Sequence, residues 1–226
     1  LKNANGWFFQ IFYNFFRFLT KFSEHYYSKK DSMKILKYIL IAILVLVILF
    51  FAMGIFYTSV NYGYEITVDK PLKEAWAIVQ DESKNDQWLE GFQSMELIEG
   101  EKGKEGSKYK VIVNPGEGQS DFEMIETLVS IKEFEQVEMH FDSDMMDFEQ
   151  IISFSESDGK TMVKTDSKVI GKGIIMRSMF AIMEVIGGSF TTQEKKNIEA
   201  LKKVIEENTT DYYPALDETS SAEPEE

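Results

Sequence analysis

No position from Tyr38 to Tyr64 is charged, and residues 39–51 (ILIAILVLVILFF) are apolar without a break. About 20 apolar residues at a helical rise of ~1.5 Å cross a hydrocarbon layer roughly 30 Å thick. The pattern predicts a single membrane-spanning helix over residues 38–57, with Tyr38, Tyr57 and Tyr62 at interfacial depth. Four lysines (Lys29, Lys30, Lys34, Lys37) precede the span. The first base after it is Lys70, beyond Glu65 and Asp69. This asymmetry predicts a cytoplasmic N-terminus and places the rest of the chain on the periplasmic or extracellular side. A cleavable signal peptide ending at Ala52-Met53-Gly54 is the rival reading. The apolar run continues through Ile55, Phe56 and Tyr57, which favours a retained anchor.

After the span the period changes. Residues 64–68 alternate as a short strand, Pro71 suits a first helical turn, and Leu72, Ala75, Trp76 and Val79 share one helical face. A second short helix is expected to hold Trp88 and Phe92, and Gly91, Gly100, Gly103 and Gly106 punctuate the stretch after it. Strands then succeed one another. Tyr109, Val111 and Val113 alternate with lysines, and residues 122–131 form a long strand. Its apolar phase shifts from even to odd positions, which predicts a bulge. Val137, Met139 and Phe141 mark one face of the next strand, Phe148, Ile152 and Phe154 that of another, and Val163 to Val169 that of the last. Polar turns join them, so the segment reads as an antiparallel meander. Ile175, Met176, Met179, Phe180, Met183 and Ile186 then form a helical stripe, Gly187-Gly188 interrupts it, and Ile198, Leu201 and Ile205 resume the spacing. Residues 208–226 are acidic and aperiodic, and are expected to be disordered.

Charge sharpens the division. Residues 1–63 carry seven Lys/Arg against two Asp/Glu, and the remainder carries 17 against 36. So acidic a domain repels phosphate backbones and anionic headgroups, which argues against nucleic-acid binding. The sequence has no cysteine. That excludes disulfides, thiolate zinc sites, cysteine nucleophiles and lipid attachment through cysteine. Residues 1–32 hold eleven aromatics and no Met. One reading is an interfacial helix, with Phe8, Phe12, Phe15, Leu19 and Phe22 at helical spacing. The favoured one is that translation starts at Met33, which leaves this segment without an assigned role. The expected organisation is therefore the aromatic segment 1–32, an anchor over 33–61, a domain over 62–207 and the tail 208–226.

Residues 68–76 (VDKPLKEAW), with Asp81 or Asp86 and Trp88 after them, resemble the opening of the START-related superfamily of polyketide cyclase-like and lipid-transfer-like proteins (SRPBCC). Ala75 stands where that family often has Val. Residues 96–106 resemble its Glu-rich, Gly-punctuated strand pair, and the order of elements over 62–207 agrees with its own. The resemblance implies an α+β helix-grip fold, a curved antiparallel sheet around a long C-terminal helix. It also implies an apolar cavity for a lipid or other hydrophobic small molecule. The residues expected to line that cavity are Trp88, Tyr109, Val111, Met139, Phe141, Phe148, Ile152, Met176, Met179, Phe180 and Met183. The stripe of three methionines suits an adaptable pocket, and it suits an ordinary core equally.

Chemistry is harder to find. His140 is the domain's one histidine and falls out of phase with its apolar neighbours, so no metal pair or catalytic triad can be assembled. Asp142, Asp144 and Asp147 lack the Gly and distal Glu of a calcium loop. Residues 171–173 (GKG) are too short for a phosphate loop. No cofactor is expected. Arg177 and Glu184 are the polar candidates on the helix expected to face the cavity, and a surface pair is the alternative. Three functions stay open: a membrane-tethered binding domain, a cyclase- or hydrolase-like enzyme using the same cavity, and a protein-interaction module with a filled core.

Overall fold

A computed structural model describes residue 17 and residues 32–214, except 115 and 117–119. Apart from Arg17 and Ser32, the aromatic segment lies outside the described residues, as does the acidic end after residue 214. Helix α1 (Ser32–Phe56) contains the charge-free run. It is long and apolar enough to cross a membrane, with Leu40, Leu44, Ile48 and Ile55 among its exposed side chains.

Seven strands come next: β1 (Val60–Val68), β2 (Phe92–Glu99), β3 (Lys108–Val113), β4 (Phe122–Lys132), β5 (Gln136–Asp142), β6 (Met146–Ser157) and β7 (Lys160–Gly171). They form one antiparallel sheet in the order β1-β7-β6-β5-β4-β3-β2, so only β1 is displaced from the meander. The bulge expected in β4 is present. Its register against β5 shifts between Leu128 and Ser130, which exposes Val129 and returns Ile131 to the core face. Between β1 and β2 lie α2 (Leu72–Gln80), a 3-10 turn (Glu82–Lys84) and α3 (Asn85–Trp88). Phe92 opens β2 rather than closing a helix.

Past the sheet the chain forms α4 (Gly173–Gly187) and α5 (Ser189–Glu206), bent by 68° relative to each other. Gly188 makes the bend with φ +55°, a left-handed conformation that side-chain-bearing residues resist. Glu184 then accepts the Phe190 N–H at 2.9 Å, and it also accepts the Thr191 hydroxyl, so it holds the first turn of α5. Ile198, Leu201 and Ile205 of α5 are buried against Val68, Trp76, Ile78 and Val163. Contact continues past α5, where Lys70 donates to the Asn208 carbonyl and Tyr212 to Asp81 at 2.7 Å.

One packing expectation requires correction. The stripe Met176, Met179, Phe180 and Met183 is expected across the concave face of the sheet, and it does not lie there. The bend gives that place to α5. Helix α4 lies at the other end, where Met176, Phe180 and Met183 pack with Val60 and Val169 in a second cluster, and Met179 is 36% exposed. Helix α4 also meets the end of α1. A Cβ on Gly54 would stand 2.5 Å from the Ile174 carbonyl oxygen and 2.9 Å from the Ser178 amide nitrogen. The two backbones touch because Gly54 has no side chain and Ser178 a small one. Helix α1 thus stands free along most of its length and is seated on the domain at its last turns.

Two truncations test this assignment. Leu201→Ala removes a fully buried side chain and is expected to cost about 2–5 kcal/mol. Met179→Ala, on the open face of α4, is expected to change stability by about 0.5 kcal/mol or less. Urea unfolding of the full chain in detergent, followed by tryptophan fluorescence, checks both; a large loss for Met179→Ala would return that stripe to the core.

Candidate ligand-binding cavity

Helix α5 presents two kinds of surface along one face. Residues 194, 198, 201 and 205 follow helical spacing. The last three are the buried apolar side chains above, whereas the first is Glu194, with Phe190, Gln193 and Asn197 beside it. Where α5 is apolar it closes onto the sheet. Over its polar N-terminal half a cavity of about 270 Å³ remains between helix and sheet.

Seven of the expected lining residues border this space: Trp88, Tyr109, Val111, Met139, Phe141, Phe148 and Ile152. Met176, Met179, Phe180 and Met183 do not, because α4 stands outside it. Phe180 instead backs the cavity wall, its ring 5.4 Å from that of Phe190. Arg177 donates to the Gly171 carbonyl at 3.2 Å and Glu184 caps α5, so both are structural. His140 lies outside the lining, 3.7 Å from Asp147. Asp142 and Asp147 share Lys172, and among the described residues no group of His, Cys, Asp and Glu suits a metal.

Cross-strand register places a carboxyl group in the apolar wall. Tyr109, Glu126, Phe141 and Phe148 lie directly opposite one another on successive strands, so all four project into the cavity. Glu126 is 7% exposed, and no described residue hydrogen-bonds to its carboxyl or pairs with it. Burial, and secondarily the negative charge of Glu82, push its pKa up to about 7. The other cavity carboxylates all have partners. Glu82 pairs with Lys102 at 2.9 Å, and Glu90 accepts from Gln193 at 2.8 Å. Glu194 accepts from Gln150 at 3.2 Å and Ser167 at 3.3 Å, and burial still raises its pKa. The Trp88 indole N–H is buried without an acceptor. Among the described residues no Lys, Arg or His lines the cavity.

Glu126, Gln150 and Glu194 are absent from the residues expected at the cavity, yet each had a signal. Glu126 continues the even apolar phase of Phe122, Met124 and Leu128, Gln150 stands between Phe148 and Ile152, and Glu194 heads the stripe of Ile198, Leu201 and Ile205. A polar residue in an apolar phase marks a buried polar group, and such groups cluster at sites.

No protein-family model and no curated protein matches the sequence. Solved structures do match. A conserved protein from Geobacillus kaustophilus is 18% identical with a TM-score of 0.52, over 65% of this chain and 95% of its own. The crystal structure of Ara h 8.0201 is 16% identical with a TM-score of 0.51, over 66% of this chain and 99% of that one. A protein from Thermus thermophilus is 10% identical with a TM-score of 0.51, over 65% and 97% of the two chains. Identities this low speak for architecture alone. The chain has the helix-grip fold. The helix of this grip is α5, and its cavity is the space bordered by Glu126.

The Glu126 carboxyl makes the helix-grip domain sensitive to pH. Its folded-state pKa lies above the ordinary value of 4.5, so the folded protein keeps this proton longer than the unfolded chain does. Its contribution is therefore most favourable below about pH 4.5, is lost as pH rises to about 7, and is flat above that. The shift corresponds to at most about 3 kcal/mol. Urea unfolding at about pH 5 and about pH 8 is expected to show this fall in the parent chain. In Glu126→Gln the fall is expected to shrink by that amount, because Glu194 contributes equally to both proteins. Equal pH dependence in the two would remove Glu126 as the source.

Proposed function

We propose that this chain is a membrane-tethered binding domain for a hydrophobic small molecule. The cavity carries the reading: apolar and aromatic side chains from β3 to β6 and α5 enclose about 270 Å³, with a few polar groups converging in it. That composition is the usual one for small-molecule sites, and a filled core would lack the space. A second reading rests on one observation, the pKa of Glu126 near neutrality, which suits a general acid or base acting in the same cavity.

Tethering is supported by α1 and by the outer face of α4. Ile175, Met179, Val185 and Ile186 are exposed on α4, and Ile174 beside them is exposed next to the contact with Gly54. An apolar stripe continuous with a membrane-spanning helix is satisfied by lipid, so α4 lies along the membrane surface in this reading. The close approach at Gly54 also gives the last residue of the Ala52-Met53-Gly54 site a packing role, which favours an anchor retained on the domain over one that is cleaved. The four lysines that precede the charge-free run orient the domain outward in this reading.

Binding is tested with the full chain in lipid nanodiscs and the neutral dye N-phenylnaphthylamine. The parent chain is expected to raise dye fluorescence above that of empty discs, and Met139→Trp, which fills the cavity, is expected to abolish the excess. No excess over empty discs would defeat the binding reading. Orientation is tested through the absence of cysteine. Lys164→Cys, on an exposed strand position, is expected to react with a membrane-impermeant maleimide on intact cells. Labelling only after lysis would reverse the orientation.

A further inference from the structure

Among the described residues the cavity is lined by four carboxyl groups and no basic side chain, and one of the four, Glu126, has no partner there. An uncompensated carboxyl in an apolar wall is costly, and the cost is relieved by a proton or by a bound cation. Around it stand the Tyr109 hydroxyl on β3, occupied in accepting the Gly103 N–H at 2.8 Å, and Glu82 on the 3-10 turn, paired with Lys102. Glu90 and Glu194 face the same space from the end of α3 and from α5. All these groups are acidic or neutral, so the cavity repels carboxylate and phosphate heads and attracts a cation. We infer that the ligand is an amphipathic amine whose ammonium group pairs with Glu126 while its apolar tail lies against Phe141, Phe148 and Met139.

The inference rests on the binding reading above and narrows it. A fatty-acid-like ligand would bring a second negative charge against Glu126 and Glu194, so its binding requires that Glu126 keep its proton and weakens as pH rises. An ammonium ion instead replaces the proton on Glu126, so binding releases a proton at neutral pH and strengthens as pH rises from about 6 to about 8. The aromatic neighbours suit the same head group, because ring faces attract cations.

The test uses three probes with one tail, octylamine, octanol and octanoate, titrated calorimetrically into the full chain in nanodiscs with empty discs subtracted. Octylamine is expected to bind at least about tenfold more tightly than octanol, and octanoate more weakly than either. Glu126→Gln keeps the shape, removes the charge, and relieves rather than creates a buried ion. It is expected to erase the octylamine advantage and to leave octanol within about twofold of the parent. Heats measured in two buffers of different ionisation enthalpy are expected to show proton release for octylamine alone. If octylamine and octanol bind equally, or if Glu126→Gln leaves the amine unaffected, the inference falls while the cavity reading stands. If no probe binds the parent chain, both fall together.

Discussion

Everything in this domain depends on how α5 lies on the sheet. Its C-terminal half closes the sheet, because Ile198, Leu201 and Ile205 are fully buried there among Val68, Trp76 and Val163. Its N-terminal half leaves a hollow, because Glu194, Gln193 and Asn197 stand where apolar residues would have filled the space. A single helix therefore supplies both the stability of the grip and the opening in it. The bend at Gly188 makes this possible by turning α5 across the sheet while α4 goes elsewhere.

The cavity's electrostatics arise from the same geometry. Antiparallel register brings Glu126 into a row with Tyr109, Phe141 and Phe148, so the carboxyl has ring neighbours and no counter-charge. The remaining acids are satisfied by lysines and amides of the described residues, and Glu126 alone stays uncompensated. In a well-packed core a group of this kind is a liability. At the wall of a cavity it is the basis of the amine selectivity inferred above, since charge distinguishes ligands where apolar walls distinguish them by shape.

The other end of the domain has a different logic. Helix α4 has an inner face of Met176, Phe180 and Met183 that backs the aromatic cavity wall, and an outer face of Ile175, Met179 and Ile186 left open. Between them the contact of Gly54 with Ser178 ties α1 to the domain. An exposed apolar surface and the backing of the cavity wall are thus separated by the thickness of one helix.

The sequence alone determined the elements that depend on local periodicity. The charge-free run marked α1, alternation marked the strands, the phase shift in residues 122–131 marked the bulge, and Gly187-Gly188 marked the break between the last helices. Six of the residues that border the cavity, Tyr109, Val111, Met139, Phe141, Phe148 and Ile152, were legible because an inward phase on successive strands of one sheet must converge on one side. The tertiary structure decided the rest. Helical spacing shows that Met176, Met179, Phe180 and Met183 share a face, but it carries no information about what that face meets. The angle at Gly188 sent it to the sheet's end and to α1. Nor does spacing distinguish a glutamate with a partner from one without. Lys102 reaches Glu82 and Gln150 reaches Glu194 from distant parts of the chain, and no described side chain reaches Glu126, which is a property of the assembled fold and of no local pattern.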